Sequence, residues 1–148
     1  VHEALERVCA ELPLQIVRDG EGAKKVVRVR VTDAATEQDA ERVAQTVASS
    51  LLVRTAIAGG DPNWGRIVAA VGRAGAPFDL DRIEVFAGGE KLFLKGAPAE
   101  TPREILKKAF LGPDVEIDIR LNTGGETAEF LTCDLTEGYI RISADYTT

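Results

Sequence analysis

The chain has 148 residues, 45% of them hydrophobic and 28% charged, with a formal net charge of −6. That length suffices for a single domain burying roughly 70% of the surface its unfolded form exposes, and the composition excludes disordered and collagen-like classes. The negative balance argues against a general phosphate-binding surface, so nucleic acid is not expected as a partner. No apolar run approaches the roughly 20 residues of a membrane span, and the start of the chain carries charges where a signal peptide would be apolar. A cytoplasmic protein with no membrane partner is the expectation. Methionine is absent, from which we expect a product of processing or trimming.

In chain order, residues 3–12 read as the end of a helix, with Leu5, Val8, Cys9 and Leu12 on one face. Asp19-Gly20-Glu21-Gly22 is a turn or loop. Val27, Val29 and Val31 alternate with Arg28 and Arg30, as in a strand with one wet face. Thr36 is the expected N-cap of a helix running to about Ser50, whose Ala40, Val43, Ala44, Val47 and Leu51 make one apolar stripe. Asp61-Pro62 is expected to open the next helix, because Asp caps well and Pro suits the first helical position. Trp64, Ile67, Val68 and Val71 follow at helical spacing.

Two short strands, around residues 83–86 and 92–94, form a hairpin about Gly88-Gly89. Thr101-Pro102-Arg103-Glu104 combines a capping box with Pro in the first turn, and Gly112-Pro113 supplies the stop. Val115, Ile117, Ile119 and Leu121 alternate with charged residues in a further strand. Asn122 to Gly125 turn that strand into another over residues 128–132, and a last strand covers 139–142. The fold class expected is α+β: a layered fold with a largely antiparallel sheet flanked by helices.

Much familiar chemistry is missing. The only histidine is His2, which argues against a Ser-His-Asp or Cys-His arrangement within the chain. Sites rich in His and Cys ligands are not expected either, so no metal is assigned, although a carboxylate-only site for a hard cation stays open. Neither a phosphate-cradling Gly-Lys loop nor a dinucleotide fingerprint occurs. Cys9 and Cys133 stand either as buried thiols, the reading a cytoplasmic protein favours, or as a disulfide. An enzyme built from this chain must use an unusual base or one supplied by another chain.

Three stretches are candidate sites. Glu21 sits between two glycines, where an acid is placed to hold a ligand ammonium group; the same stretch also reads as a solvated turn. Asp61-Pro62-Asn63-Trp64-Gly65-Arg66 reads either as a cleft lining or as a capped helix start with a core Trp. Ser143-Ala144-Asp145-Tyr146-Thr147-Thr148 continues a strand pattern to the last residue, as a frayed tail or a segment that docks in a site.

Taken together, Ile16 to Ala23, Leu52 to Ala56 leading into Gly60 to Arg66, and Cys133-Asp134-Leu135-Thr136 with the final Ala144 to Thr148 resemble the ornithine acetyltransferase/glutamate N-acetyltransferase family. The segments follow the family's order and span nearly the whole chain. The resemblance implies a precursor that cleaves itself into alpha and beta chains, the second beginning with a Thr that is nucleophile and, through its own amine, base. It implies acetyl transfer from N-acetylornithine to glutamate through an acetyl-threonine, releasing ornithine, with an oxyanion hole in the first chain and acetyl-CoA as a further donor in some members. No other cofactor is implied. On this reading residues 1–148 are one domain, the C-terminal part of a beta chain, paired with the alpha chain of the same precursor in a heterotetramer.

No residue of this chain is then the nucleophile. By family comparison that residue lies upstream of Val1. Glu21 matches the family's acidic substrate contact and Thr148 its terminal substrate-contacting Thr, while Ser143 replaces the usual Asn as their partner. A Ser hydroxyl reaches less far than an amide, and Lys24 replaces a usual Thr close to Glu21, so both bear on specificity. Two alternatives compete: a related self-processing N-terminal-nucleophile hydrolase such as an aminopeptidase, which would release product without an acceptor, and a non-catalytic paralogue that only binds amino acids.

Overall fold

The computed structural model describes residues 25–135. These form β1 (Val26–Ala34), α1 (Glu37–Ser49), α2 (Leu51–Ala58), α3 (Trp64–Arg73), β2 (Glu84–Ala87), β3 (Glu90–Leu94), β4 (Ala97–Pro98), α4 (Arg103–Leu111), β5 (Asp114–Arg120) and β6 (Glu126–Cys133). The strands make one sheet in the order β4-β3-β2-β5-β1-β6. One pairing, β1 with β5, is parallel; the other pairings are antiparallel. The expected α+β layering with a largely antiparallel sheet is therefore present, with one parallel pair within it. The helix expected over 3–12, the Asp19–Gly22 turn and the strand expected over 139–142 lie outside the described residues.

Alternation decides which face of the sheet the helices cover. Val27, Val29 and Val31 of β1 stand beside Val115, Ile117 and Ile119 of β5, and all six are buried. Each contributes on the order of 1.5–3 kcal/mol by leaving water. Ala40, Val43, Ala44 and Val47 of α1, Ile67, Ala70 and Val71 of α3, and Leu106 and Phe110 of α4 complete the same core. On the other face Arg28 stands across from Glu116, and Arg30 lies between Glu129 and Asp118. Opposite charges so placed support the strand pairing.

Four expectations at element ends need correction. First, the long helix ends at Ser50 as expected, but Ser50 leaves helical geometry (ψ 121°), accepts a hydrogen bond from Val53 N at 3.2 Å and so caps a new helix, α2. Leu51, expected on the buried stripe, is 62% exposed. Thr36 does cap α1, its hydroxyl accepting from Asp39 N at 3.0 Å. Next, α3 is capped by Asn63 rather than Asp61: its Oδ1 accepts from Arg66 N at 3.0 Å. Asp61 is already committed to ending α2. Asp61 N donates to Ala56 O, Gly60 N donates to Ile57 O, and Gly60 takes φ +66°, the arrangement of a Schellman C-cap.

Third, the capping box at Thr101 does not form. Pro102 is the cap residue, with no side-chain cap bond, and its carbonyl accepts from Ile105 and Leu106 N. The helix thus starts one residue later than the motif requires, and Glu104 stands one position too early to reach back. Fourth, Asn122–Gly125 is not a hairpin, because β1 lies between β5 and β6. This loop instead crosses the end of β1, where Thr123 N and Gly124 N donate to Asp33 O at 2.8 and 3.0 Å. The hairpin about Gly88-Gly89 does form: Ala87 pairs with Glu90, and both glycines have positive φ, as a two-residue type I′ turn demands. Among the described residues no helix is long and apolar enough to cross a membrane.

Candidate functional site

Glu21, Ser143 and Thr148 lie outside the described residues. The structure places the points from which their segments leave the sheet, and these points are side by side. Because β1 and β6 pair antiparallel with Val26 opposite Cys133, the residue before β1 meets the residue after β6. Lys25 N donates to Asp134 Oδ1 at 2.9 Å, and Asp134 N donates to Lys25 O at 3.2 Å. Asp134 is fully buried.

The Lys25 side chain ties this junction to two helices. Its Nζ donates to Ile57 O at 2.7 Å and to Phe110 O at 2.5 Å, in the last turns of α2 and α4. Helix C-termini present carbonyls short of intrahelical donors and carry the negative end of the dipole, so an ammonium is the group that suits both. Burial pushes the Lys25 ammonium below the usual lysine range, against the opposing pull of the Asp134 carboxylate.

Arg54, in the middle of α2, holds the same junction from the other side. Its Nε donates to Cys133 O at 2.8 Å, its Nη2 donates to Cys133 Sγ at 3.1 Å, and its own carbonyl accepts from Leu135 N at 3.2 Å. Cys133 is a free, buried thiol, so the disulfide alternative for this residue falls. Lys25, Arg54 and Cys133-Asp134-Leu135 thus converge at one end of the sheet, the last two belonging to stretches singled out in the sequence.

The run from Asp61 to Arg66 proves to be a joint between helices. Arg66 Nη1 reaches back to Leu52 O at 2.9 Å and Thr55 Oγ1 at 3.2 Å. Asn63 Nδ2 donates to Asp61 Oδ2 at 3.2 Å, and Arg103 of α4 lies 3.6 Å from Asp61 Oδ1. Trp64 is not a core residue: it is 39% exposed and stacks on Phe93, ring centroids 5.3 Å apart. The motif holds α2, α3 and α4 in place, and α2 and α4 carry the carbonyls that Lys25 grips.

A cavity of about 720 Å³ opens at the other end of the strands, lined by Asp33, Asp81, Arg82, Glu84, Lys95 and Asn122 among others. Among the described residues, none of the run from Asp61 to Arg66 lines it. Among the described residues no group of three or more His, Cys, Asp or Glu could hold a metal ion. Sequence reasoning missed Lys25 altogether: beside Lys24 it looks like half of a solvated basic doublet, and nothing local marks it as a strut. Asp134 and Arg54 were quoted only as parts of longer runs, and their partners lie 109 and 79 residues away in sequence.

Comparison with known proteins gives a consistent answer. The ArgJ family model matches residues 1–148. The arginine biosynthesis bifunctional protein ArgJ of Dehalococcoides mccartyi is 44% identical over 146 residues, 99% of this chain and 36% of that protein. The protein of the same name from Thermus thermophilus is 46% identical over 146 residues, 99% of this chain and 38% of its own length. This chain therefore spans somewhat more than a third of those relatives. A crystal structure of the arginine biosynthesis bifunctional protein ArgJ from Bacillus halodurans superposes with a TM-score of 0.88 at 39% identity, covering 97% of this chain and 68% of that one.

Proposed function

The chain belongs to the ArgJ family, and from that premise we propose that it is the C-terminal part of the beta chain of an ornithine acetyltransferase/glutamate N-acetyltransferase. Its role is to supply part of the substrate pocket. Glu21 holds the substrate ammonium group, with Ser143 and Thr148 as further substrate contacts. The nucleophilic threonine and the oxyanion hole belong to the rest of the protein, the latter to the alpha chain.

In the first half-reaction the threonine oxygen attacks the acetyl carbonyl of N-acetylornithine. The amide C–N bond breaks, and ornithine leaves as its amine after taking up a proton. In the second, the amine of glutamate attacks the acetyl ester, the C–O bond breaks, and the threonine hydroxyl returns. The chain's task is to place both substrates, and positioning alone is worth several powers of ten in rate. No cofactor takes part in this reading, and the cytoplasm is the setting.

One observation carries the proposal. The segment holding Glu21 enters the sheet at Lys25, four residues later in sequence, and the segment holding Ser143 and Thr148 leaves it at Asp134. Those two residues are bonded to each other at 2.9 Å. Segments that must meet around one substrate start from one point.

Intact-mass spectrometry of the full two-chain protein, before and after N-acetylornithine, tests the reading. We expect a threonine-starting chain to gain one acetyl group and to lose it when glutamate is added. Release of free acetate without an acceptor would favour the hydrolase alternative, and tight ligand binding with no acetylated chain would favour the amino-acid-binding one.

A further inference from the structure

We propose that Lys25 is a positioning residue, one that fixes the substrate-contacting segments relative to each other by clamping their common root between the ends of α2 and α4. The inference rests on the substrate roles just proposed for Glu21, Ser143 and Thr148. Its own support is geometric. A single residue uses every polar atom it has to tie elements together: Nζ on Ile57 O of α2 and Phe110 O of α4, N on the Asp134 carboxylate, and O on Asp134 N.

The end of α2 and the start of α4 also approach each other where Arg103 lies 3.6 Å from Asp61, an exposed pair that adds little rigidity of its own. Arg54 completes the clamp by holding Cys133 and Leu135 on the side of α2. A hydrophobic residue at position 25 would fill the space yet leave the Phe110 carbonyl and one lone pair of Ile57 O without a donor. A lysine kept there against the cost of burial is therefore a strut that exchanges desolvation for fixed directions. Lys25 touches neither substrate nor reacting atoms in this scheme, and its effect on the reaction passes through the segments it anchors.

The test uses the complete two-chain enzyme and four proteins: wild type, Lys25→Met, Lys25→Arg and Thr36→Ala. The last loses the cap of α1, at the opposite end of β1 from the junction, and serves as a control for plain destabilisation. We expect Lys25→Met to raise KM for both N-acetylornithine and glutamate by about tenfold or more, with acetyl-threonine formation at saturating donor changed far less. Lys25→Arg keeps donors for both carbonyls and should recover most of the loss, while Thr36→Ala should lower thermal stability and leave KM alone.

A KM unchanged in Lys25→Met, or a loss that tracks the fraction folded as in Thr36→Ala, overturns the positioning role. Should Lys25→Met fail to fold, Asp134→Asn decides. It keeps an acceptor for Lys25 N but removes the charge, and it must then show the same KM rise at smaller size. If the wild-type protein itself takes up no acetyl group, the acetyltransferase reading fails and this inference with it. Wild type acetylated and Lys25→Met kinetically silent removes the inference alone.

Discussion

The guanidinium of Arg54 and the backbone of Cys133 form a fastening between α2 and the end of β6: Nε reaches the carbonyl oxygen at 2.8 Å while Nη2 reaches the sulfur at 3.1 Å. A planar fork can serve two acceptors on one residue at once, which a lysine ammonium on a flexible stem cannot do in the same geometry. Replacing Arg54 by Met should destabilise the protein by about 2 kcal/mol, the scale of a charge-assisted hydrogen bond lost at a half-buried site. Arg54→Lys should recover less than half of that. Urea denaturation of the full-length protein measures both, and equal stability of Arg54→Lys and wild type would show that only the charge matters.

The loop that carries the chain across the end of β1 makes a sharper prediction, because two adjacent glycines should respond oppositely. A Cβ on Gly124 would sit 2.5 Å from Ala34 O and 2.7 Å from Ala35 Cα, both backbone atoms that cannot turn aside. On Gly125 a Cβ meets nothing within 4 Å. Gly124→Ala must push the loop off Asp33 O and should cost about 3 kcal/mol or more, whereas Gly125→Ala should change stability by less than about 0.5 kcal/mol. Comparable unfolding midpoints for the two variants would contradict the crossing geometry.

Those same glycines mark the limit of what the sequence discloses. The alternation of Val27, Val29 and Val31 with arginines, and of Val115, Ile117 and Ile119 with charges, is enough to read two half-buried strands, and Gly88-Gly89 enough to read a tight hairpin. Which strands pair is another matter. Sequential strands are usually neighbours, so residues 122–125 read as a hairpin, but β1 takes the place between β5 and β6 from some 90 residues upstream. The start of α2 at Ser50 is hidden for a related reason: Val47 and Leu51 are four apart and continue an apolar stripe, and the serine hydroxyl turning to Val53 N is what opens a new helix there. The site divides similarly. Glu21 and the run from Ser143 to Thr148 read locally as candidates beside a solvated turn and a frayed tail, and only the family resemblance gives them substrate roles. Lys25 and Asp134 acquire meaning only once the ends of β1 and β6 are laid together.

Helix caps give a third contrast. Asn63, which the sequence does not mark as a cap, accepts a hydrogen bond from Arg66 N, and Thr101, which it does mark, has no such role because Pro102 is the cap residue of α4. Asn63→Ala should cost about 1 kcal/mol, and Thr101→Ala should be neutral within about 0.5 kcal/mol. Thermal melts of the pair settle it; a loss at Thr101 equal to that at Asn63 would mean that the capping box forms after all.

The final prediction concerns pH and the open face of the sheet. Asp118 stands in β5 beside Arg30 of β1 and Phe86 of β2. Its carboxyl is raised above the ordinary 3.8, first by burial, with Arg30 and Arg120 pulling it down and Glu116 and Glu129 pushing it up. Arg120 is partly engaged elsewhere, 5.1 Å above the Phe86 ring. A raised value means that the folded state holds the proton more tightly than the unfolded chain. Between 3.8 and the raised value the native state carries more protons, so this group's contribution to stability is present below that window and is lost as pH rises through it. At neutral pH the ionised Asp118 is therefore a net cost, reduced to a few tenths of a kcal/mol by the water that still reaches it. Asp118→Asn removes the charge while keeping the shape. It should be more stable than wild type at pH 7, and the difference should shrink as pH falls toward 3.8. Comparing the variants at each pH cancels the titration of every other carboxylate, apart from groups coupled to Asp118 itself. If wild type is instead the more stable protein at pH 7, the attraction of Arg30 outweighs burial, and the charge ladder across β6, β1 and β5 is a source of stability rather than of specificity in strand pairing.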